Sequence, residues 1–125
     1  MNVLDTTVAV DHLRGLPSAV ALLRRLSEGG EPLLASELVR FELLAGVRDH
    51  ALETLEEFFE ALAWLPVSEE VARVAGALAR QHRPGHSGTD DADYLIAASA
   101  LVLDSNLLTT NVRQFPMIVG LQPPY

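Results

Sequence analysis

The stretch Asp90–Asn111, DDADYLIAASALVLDSNLLTTN, decides how the chain folds. Asp90, Asp91 and Asp93 open a helix-length run that is otherwise almost wholly apolar. A short apolar segment, Asn106 to Thr109, then leads to Asn111. A helix that is apolar on every side has to be buried, so its polar opening turn must face something specific. The two pieces read as a buried helix feeding an inner strand.

The same rhythm appears at the other end of the chain. Asn2 to Leu4 form an apolar run that stops at Asp5-Thr6-Thr7, after which Val8, Val10 and Leu13 take helical spacing. Asp5 therefore ends a strand. Pro17 and Ser18 open a second helix with Ala19, Leu22, Leu23 and Leu26 on one face, closed by Gly29-Gly30. Leu33 to Ala35 is the next strand, and Ser36 caps a helix with Leu38, Val39, Leu43 and Leu44 inside and Glu42 beside them. That helix ends near Gly46. From Ala51 to Ala61, leucines and phenylalanines alternate at helical spacing with Glu53, Glu56, Glu57 and Glu60, giving one solvated acidic face. Trp64 to Val67 reads as a strand interrupted by Pro66, Ser68 caps a helix running to about His82, and Pro84–Gly88 is a flexible loop.

Strands alternating with helices imply parallel pairing through right-handed crossovers. The expected architecture is α/β, a three-layer α/β/α arrangement around a small central parallel sheet, in one domain over residues 1–125. Strand C-termini and helix N-termini share one edge of such a sheet, and ligands bind there. Asp5, Asp93 and Asn111 all fall on that edge. Glu42 lies roughly 9 Å along its helix from Ser36, so this helix has to lean toward the site.

Composition narrows the chemistry. There is no cysteine, which excludes disulfides, thiol catalysis and cysteine-bound zinc. The formal net charge of −8 argues against nucleic-acid binders that coat phosphates with basic residues. All nine basic residues are arginines, so lysine-dependent phosphate chemistry is also excluded. A divalent cation is the obvious substitute for the missing positive charge. Neither a signal peptide nor a membrane span is apparent, which points to a cytoplasmic protein without a membrane partner. His12, His50, His82 and His86 show no metal-ligand spacing and read as surface or capping groups.

Magnesium and manganese take hard oxygen ligands and keep several waters, so a few carboxylates around a cleft suit either ion. Two carboxylates near 4 Å repel by about 4 kcal/mol at an effective dielectric of 20, and a cation between them removes that cost. The individual residues still admit plainer roles. Asp5 can cap the first helix, Asp90 and Asp91 can cap or solvate theirs, Glu42 is one of ten glutamates, and Asn111 suits a turn. Arg40 and Arg113 are the cations placed to meet a phosphate, with surface ion pairs as their ordinary alternative.

Five blocks in fixed order, VLDTTV (3–8), FELLAG (41–46), DADYLIAASAL (91–101), LLTTNVRQFPMI (107–118) and the PPY ending, make the chain resemble a PIN-domain ribonuclease toxin of the VapC family. The resemblance spans nearly the whole length. It implies a magnesium-dependent endoribonuclease whose acidic metal-site residues are Asp5, Glu42 and Asp93, with Asp5 and Asp93 as direct ligands and manganese as a possible replacement. Asn111 stands where many relatives carry a fourth acid, and Thr109 occupies the strand end before it. The resemblance further implies an RNA substrate, a homodimer, and neutralisation by a VapB-like antitoxin. Two other readings remain at this point: a catalytically silent PIN-like domain that only receives a basic segment, and an aspartate-dependent phosphohydrolase. The missing lysine disfavours the second.

Overall fold

The computed structural model describes every residue from Met1 to Tyr125. In chain order the elements are β1 (Asn2–Leu4), α1 (Thr6–Leu13), α2 (Pro17–Glu28), β2 (Leu33–Ser36), α3 (Glu37–Gly46), α4 (Leu52–Glu60), β3 (Ala63–Leu65), α5 (Glu69–His82), α6 (Asp91–Val102) and β4 (Asn106–Leu108). Short 3-10 turns cover Asp49–Ala51, Arg83–Gly85 and Val112–Gln114. None of the helices is long and apolar enough to cross a membrane.

The four strands form one parallel sheet in the order β3-β2-β1-β4. From β1 to β3 the chain steps in one direction across the sheet, and from β3 it returns past β2 and β1 to add β4 on the far edge. Right-handed crossovers therefore place α1–α4 on one face and α5–α6 on the other, the expected three layers. The reversal of direction falls between β1 and β4. Their register pairs Leu4 with Leu108, which brings the residues just beyond, Asp5 and Thr109, side by side at the C-terminal edge.

Local chemistry sets the element ends. Ser36 accepts a hydrogen bond from the Leu38 amide at 3.1 Å, and Ser68 accepts one from Val71 at 3.1 Å, so both serines cap helices as their positions predicted. Helix α2 closes with Gly30 at φ +75°, a left-handed conformation that glycine adopts without a Cβ clash. The core joins both layers through the sheet, with Val3, Leu4, Val8, Val39, Ile96 and Phe115 among its most deeply buried side chains. Helix α6 buries Tyr94, Ile96, Ala97, Ala98, Ser99 and Ala100, so almost its entire circumference is covered.

Three sequence readings need correction. The third strand starts at Ala63 and stops at Leu65 rather than running from Trp64 to Val67, because Pro66 lacks the amide needed to continue a ladder. Within the 84–88 loop, residues up to Gly85 belong to a 3-10 turn rather than to irregular chain. His12 is not a surface group: it is half-buried, stacks on Phe58 with centroids 5.2 Å apart, and keeps a buried Nδ1 without a partner. Its position in the last turn of α1 turns it toward α4, and burial lowers its pKa. His86 likewise has a buried, unpartnered Nε2.

Candidate functional site: an acidic edge of the sheet

Asp5 follows β1 directly. Its amide donates to the Leu108 carbonyl at 2.9 Å, which extends the β1–β4 ladder by one bond and fixes where the side chain leaves the sheet. Although Asp5 occupies the N-cap position of α1, its carboxylate accepts no capping bond from the helix. Thr109 Oγ1 donates to Asp5 Oδ2 at 2.7 Å instead, and Thr7 Oγ1 approaches the same oxygen at 3.3 Å. The capping alternative is thus displaced by a buried threonine–carboxylate contact. Only 4% of Asp5 is exposed, and burial raises its pKa against the lowering effect of Thr109 and of the nearby Thr6 and Thr7 groups.

Thr109 is itself wholly buried and holds the edge together. Its Oγ1 also accepts the Asn111 amide at 3.0 Å, while Thr7 Oγ1 accepts the Thr110 amide at 3.1 Å. Sequence inspection singled out Thr109 but gave no role to Thr6 or Thr7. The signal was available: two hydroxyls immediately after a strand-terminal acid.

Glu42 comes from the middle of α3. Thr6 Oγ1 donates to Glu42 Oε1 at 2.7 Å, so the residue next to Asp5 in the chain ties Glu42 to the edge. This bond supplies the lean toward the site that the helix rise called for. Burial raises the Glu42 pKa, Thr6 lowers it, and the charges of Asp5 and Asp90 raise it further.

Asp93 sits in the first turn of α6 and is 8% exposed. It forms a capping box with Asp90: the Asp93 amide donates to Asp90 Oδ1 at 2.9 Å, and the Asp90 amide donates to Asp93 Oδ2 at 3.2 Å. The Asp93 pKa is pushed up to about 7, first by burial, with the Asp90 amide lowering it and the charges of Asp90 and Asp5 raising it. Asp90 therefore acts as a cap. Asp91 is exposed and pairs with Arg83.

Asp5, Glu42 and Asp93, from the start, middle and last third of the chain, consequently sense one another's charge across one small region. Asn111 does not join them by hydrogen bonding: it is exposed, and its side-chain amide donates to Gln114 Oε1 at 3.5 Å. Arg40 is also elsewhere. It pairs with Glu37 at 2.6 Å and lies over the Trp64 ring, 3.9 Å from the centroid, because it projects from α3 on a different side from Glu42. Arg113 is exposed and forms no ion pair.

The donor set suits a hard divalent cation. All three acids offer oxygen, burial makes their charge costly without a counter-ion, and no lysine or arginine pairs with them. No three acids or histidines are spaced as a ready-made ligand cage. That spacing excludes an all-protein shell and fits an ion that keeps several waters and takes one or two carboxylates directly.

The PIN domain family matches residues 3–118. Over all 125 residues the chain is 61% identical to "Ribonuclease VapC19" of Mycobacterium tuberculosis, covering 100% of both chains. It is 36% identical to "Ribonuclease VapC10" of the same species, covering 100% of this chain and 93% of that one. Among solved structures, VapBC2 from Rickettsia felis bound to a promoter DNA fragment superposes with a TM-score of 0.83 at 23% identity, covering 96% of this chain and 94% of the other, a likeness of fold. With the acidic edge standing where five sequence blocks placed it, the chain belongs to the PIN domain family and, within it, to the VapC ribonucleases.

Proposed function

We propose that this protein is a magnesium-dependent endoribonuclease, the toxin of a type II toxin–antitoxin module, working through one PIN domain in the cytoplasm. The observation that carries the reading is the convergence of Asp5, Glu42 and Asp93, remote in sequence, on one edge of the sheet with their pKa values all raised. In this reading Asp5 and Asp93 hold the ion and Glu42 completes the acidic shell. When bound, the ion supplies a water of lowered pKa and neutralises charge on the phosphate. Thr109 keeps Asp5 Oδ2 aimed, and Thr6 restrains Glu42 through Oε1. Glu42 Oε2 has no protein donor, which leaves it free to take a proton from an attacking water.

Manganese fits the same oxygen donors. Asn111 takes a supporting place at the rim, orienting a water or the substrate rather than the ion. An RNA substrate, a second copy of the chain and a VapB-like antitoxin are the partners that family membership favours. A silent domain that merely receives a basic segment would gain nothing from burying Asp5 and Asp93 beside threonine donors. The test is cleavage of a structured RNA with and without magnesium. Wild type should cut only with the ion, and Asp5→Asn and Asp93→Asn should not cut; cleavage by either variant at the wild-type rate sinks the assignment.

A further inference from the structure

A cavity of about 470 Å³ opens beside the acidic edge, between α1, α3 and the 3-10 turn that leads into α4. This volume is in the range that holds small ligands. Thr6 and Glu42 form its near end, so it begins where the metal site stops. Val10, Leu13, Leu43 and Val47 supply apolar wall, while Arg14, Arg48 and His50 contribute polar groups. Arg14 is two turns along α1 from Thr6, about 12 Å at 1.5 Å per residue.

The charge of this cavity runs against that of the molecule. The chain carries a formal charge of −8, yet two of its nine arginines line this one opening, where Glu42 is the only acid. Both arginines are exposed and neither takes part in an ion pair, whereas Arg40, Arg73 and Arg83 are each matched to an acid on their own surface. Free guanidinium groups above an apolar wall suit a ligand with an anionic chain and a flat apolar face. A single-stranded nucleotide has both: a phosphodiester for the arginines and a base for the wall. A basic peptide segment would meet two like charges there.

We propose that this cavity is a subsite for the nucleotide adjoining the scissile bond, with Arg14 and Arg48 contacting its phosphate and Val10, Leu13, Leu43 and Val47 receiving the base. The subsite rests on the ribonuclease reading of the neighbouring acids. It also supplies what a net acidic ribonuclease otherwise lacks, a local positive surface that sets which stretch of RNA enters.

The test measures binding, not cleavage. A dye-labelled single-stranded oligoribonucleotide is titrated with the full chain in the presence of a metal chelator, and anisotropy is followed across a range of salt. The double variant Arg14→Ala/Arg48→Ala is compared with Arg25→Ala/Arg80→Ala, which removes the same charge from elsewhere. The cavity variant should bind roughly tenfold or more weakly, and its log–log salt slope should fall by about 1.4, near 0.7 for each lost phosphate contact on a single strand. The control pair should stay within about twofold of wild type. Equal losses in both pairs would reduce the effect to net charge and overturn the subsite. Unchanged binding by the cavity variant would overturn it as well and leave the cavity to a protein segment. All these residues except the control pair lie near the acids, so thermal melts of each variant accompany the titrations. A protein that binds RNA through this cavity but never cuts it would sink the nuclease reading alone; one that cuts RNA with the cavity variant binding normally would sink only the subsite.

Discussion

Helix α4 and the C-terminal edge of the sheet are both acidic, and they use their charge in opposite ways. Along α4, Glu53, Glu56, Glu57 and Glu60 lie within eight residues, and all four are exposed. At the sheet edge, Asp5, Glu42 and Asp93 are separated by dozens of residues, yet two are buried and the third is half-buried. The denser cluster in sequence is the idle one in space. Water screens the α4 carboxylates, whereas burial denies the edge carboxylates that screening and makes a bound cation the means of relieving them.

Neutralising acids in each region gives the sharpest contrast. Asp5→Asn or Asp93→Asn should lower the RNA cleavage rate by more than about 100-fold, above the effect typical of residues that merely support metal ligands. Glu56→Gln with Glu57→Gln should change it by less than about twofold. If the α4 pair mattered as much as the edge, general acidity rather than a built site would explain activity.

Thr109→Val comes next. The hydroxyl donates to Asp5 Oδ2 at 2.7 Å and accepts from the Asn111 amide, and valine keeps the shape while removing both bonds. Loss of a supporting contact of this kind should reduce cleavage about 10- to 100-fold. The buried Asp5 oxygen left without its donor should cost about 1–3 kcal/mol in chemical denaturation. A variant that lost stability but kept full activity would show that Thr109 holds the fold and not the acid.

Metal binding should then distinguish the regions without any assay of RNA. Magnesium at 100 times its dissociation constant stabilises the folded state by about 2.7 kcal/mol, a rise in Tm of roughly 10 °C for a chain of this size. Asp93→Asn should abolish the rise and Glu56→Gln should leave it intact. An equal rise in both would place the ion elsewhere.

Much of this contrast was legible in the sequence, for identifiable reasons. The apolar circumference of α6 forced Asp93 into a buried first turn, and the strand-to-helix break at Asp5-Thr6 set that acid at the sheet edge. Glu42 was only half legible. Its spacing from Ser36 put it too far along α3, and the compensating bond from Thr6 joins residues 36 positions apart, a contact that no local pattern encodes. His12 and Arg40 were misjudged for a related cause: periodicity tells which face of a helix is polar, not which neighbouring ring waits there, Phe58 for His12 and Trp64 for Arg40.

The pH dependence of stability provides a smaller effect with a definite sign. Burial, followed by the charges of Asp90 and Asp5, raises Asp93 from 3.8 to about 7 in the folded protein. Between those values the folded state holds a proton that the unfolded chain has released, so stability falls as pH rises through this window. The penalty is absent below about 4 and complete above about 7. After allowing for solvent screening it should amount to about 2 kcal/mol. Metal-free wild type should lose that much relative to Asp93→Asn between pH 4 and pH 8, and saturating magnesium should remove the difference. A constant difference across the range would mean that Asp93 titrates normally and needs no ion.

The smallest expected effect belongs to Arg40, and it tests the boundary of the acidic edge from the α3 side. Arg40 is two residues before Glu42, but its guanidinium pairs with Glu37 and covers Trp64, which carries it away from the acids. The pair with Glu37 is largely exposed and contributes little, while the ring contact adds about 0.5–1 kcal/mol. Arg40→Ala should therefore lower stability by about 1 kcal/mol, visible in urea melts, and leave both RNA cleavage and the magnesium-induced rise in Tm unchanged. A tenfold loss of cleavage at unchanged stability would mean that Arg40 leaves its ring for the RNA phosphate. The positive charge serving catalysis would then extend across α3 rather than end at the cavity arginines.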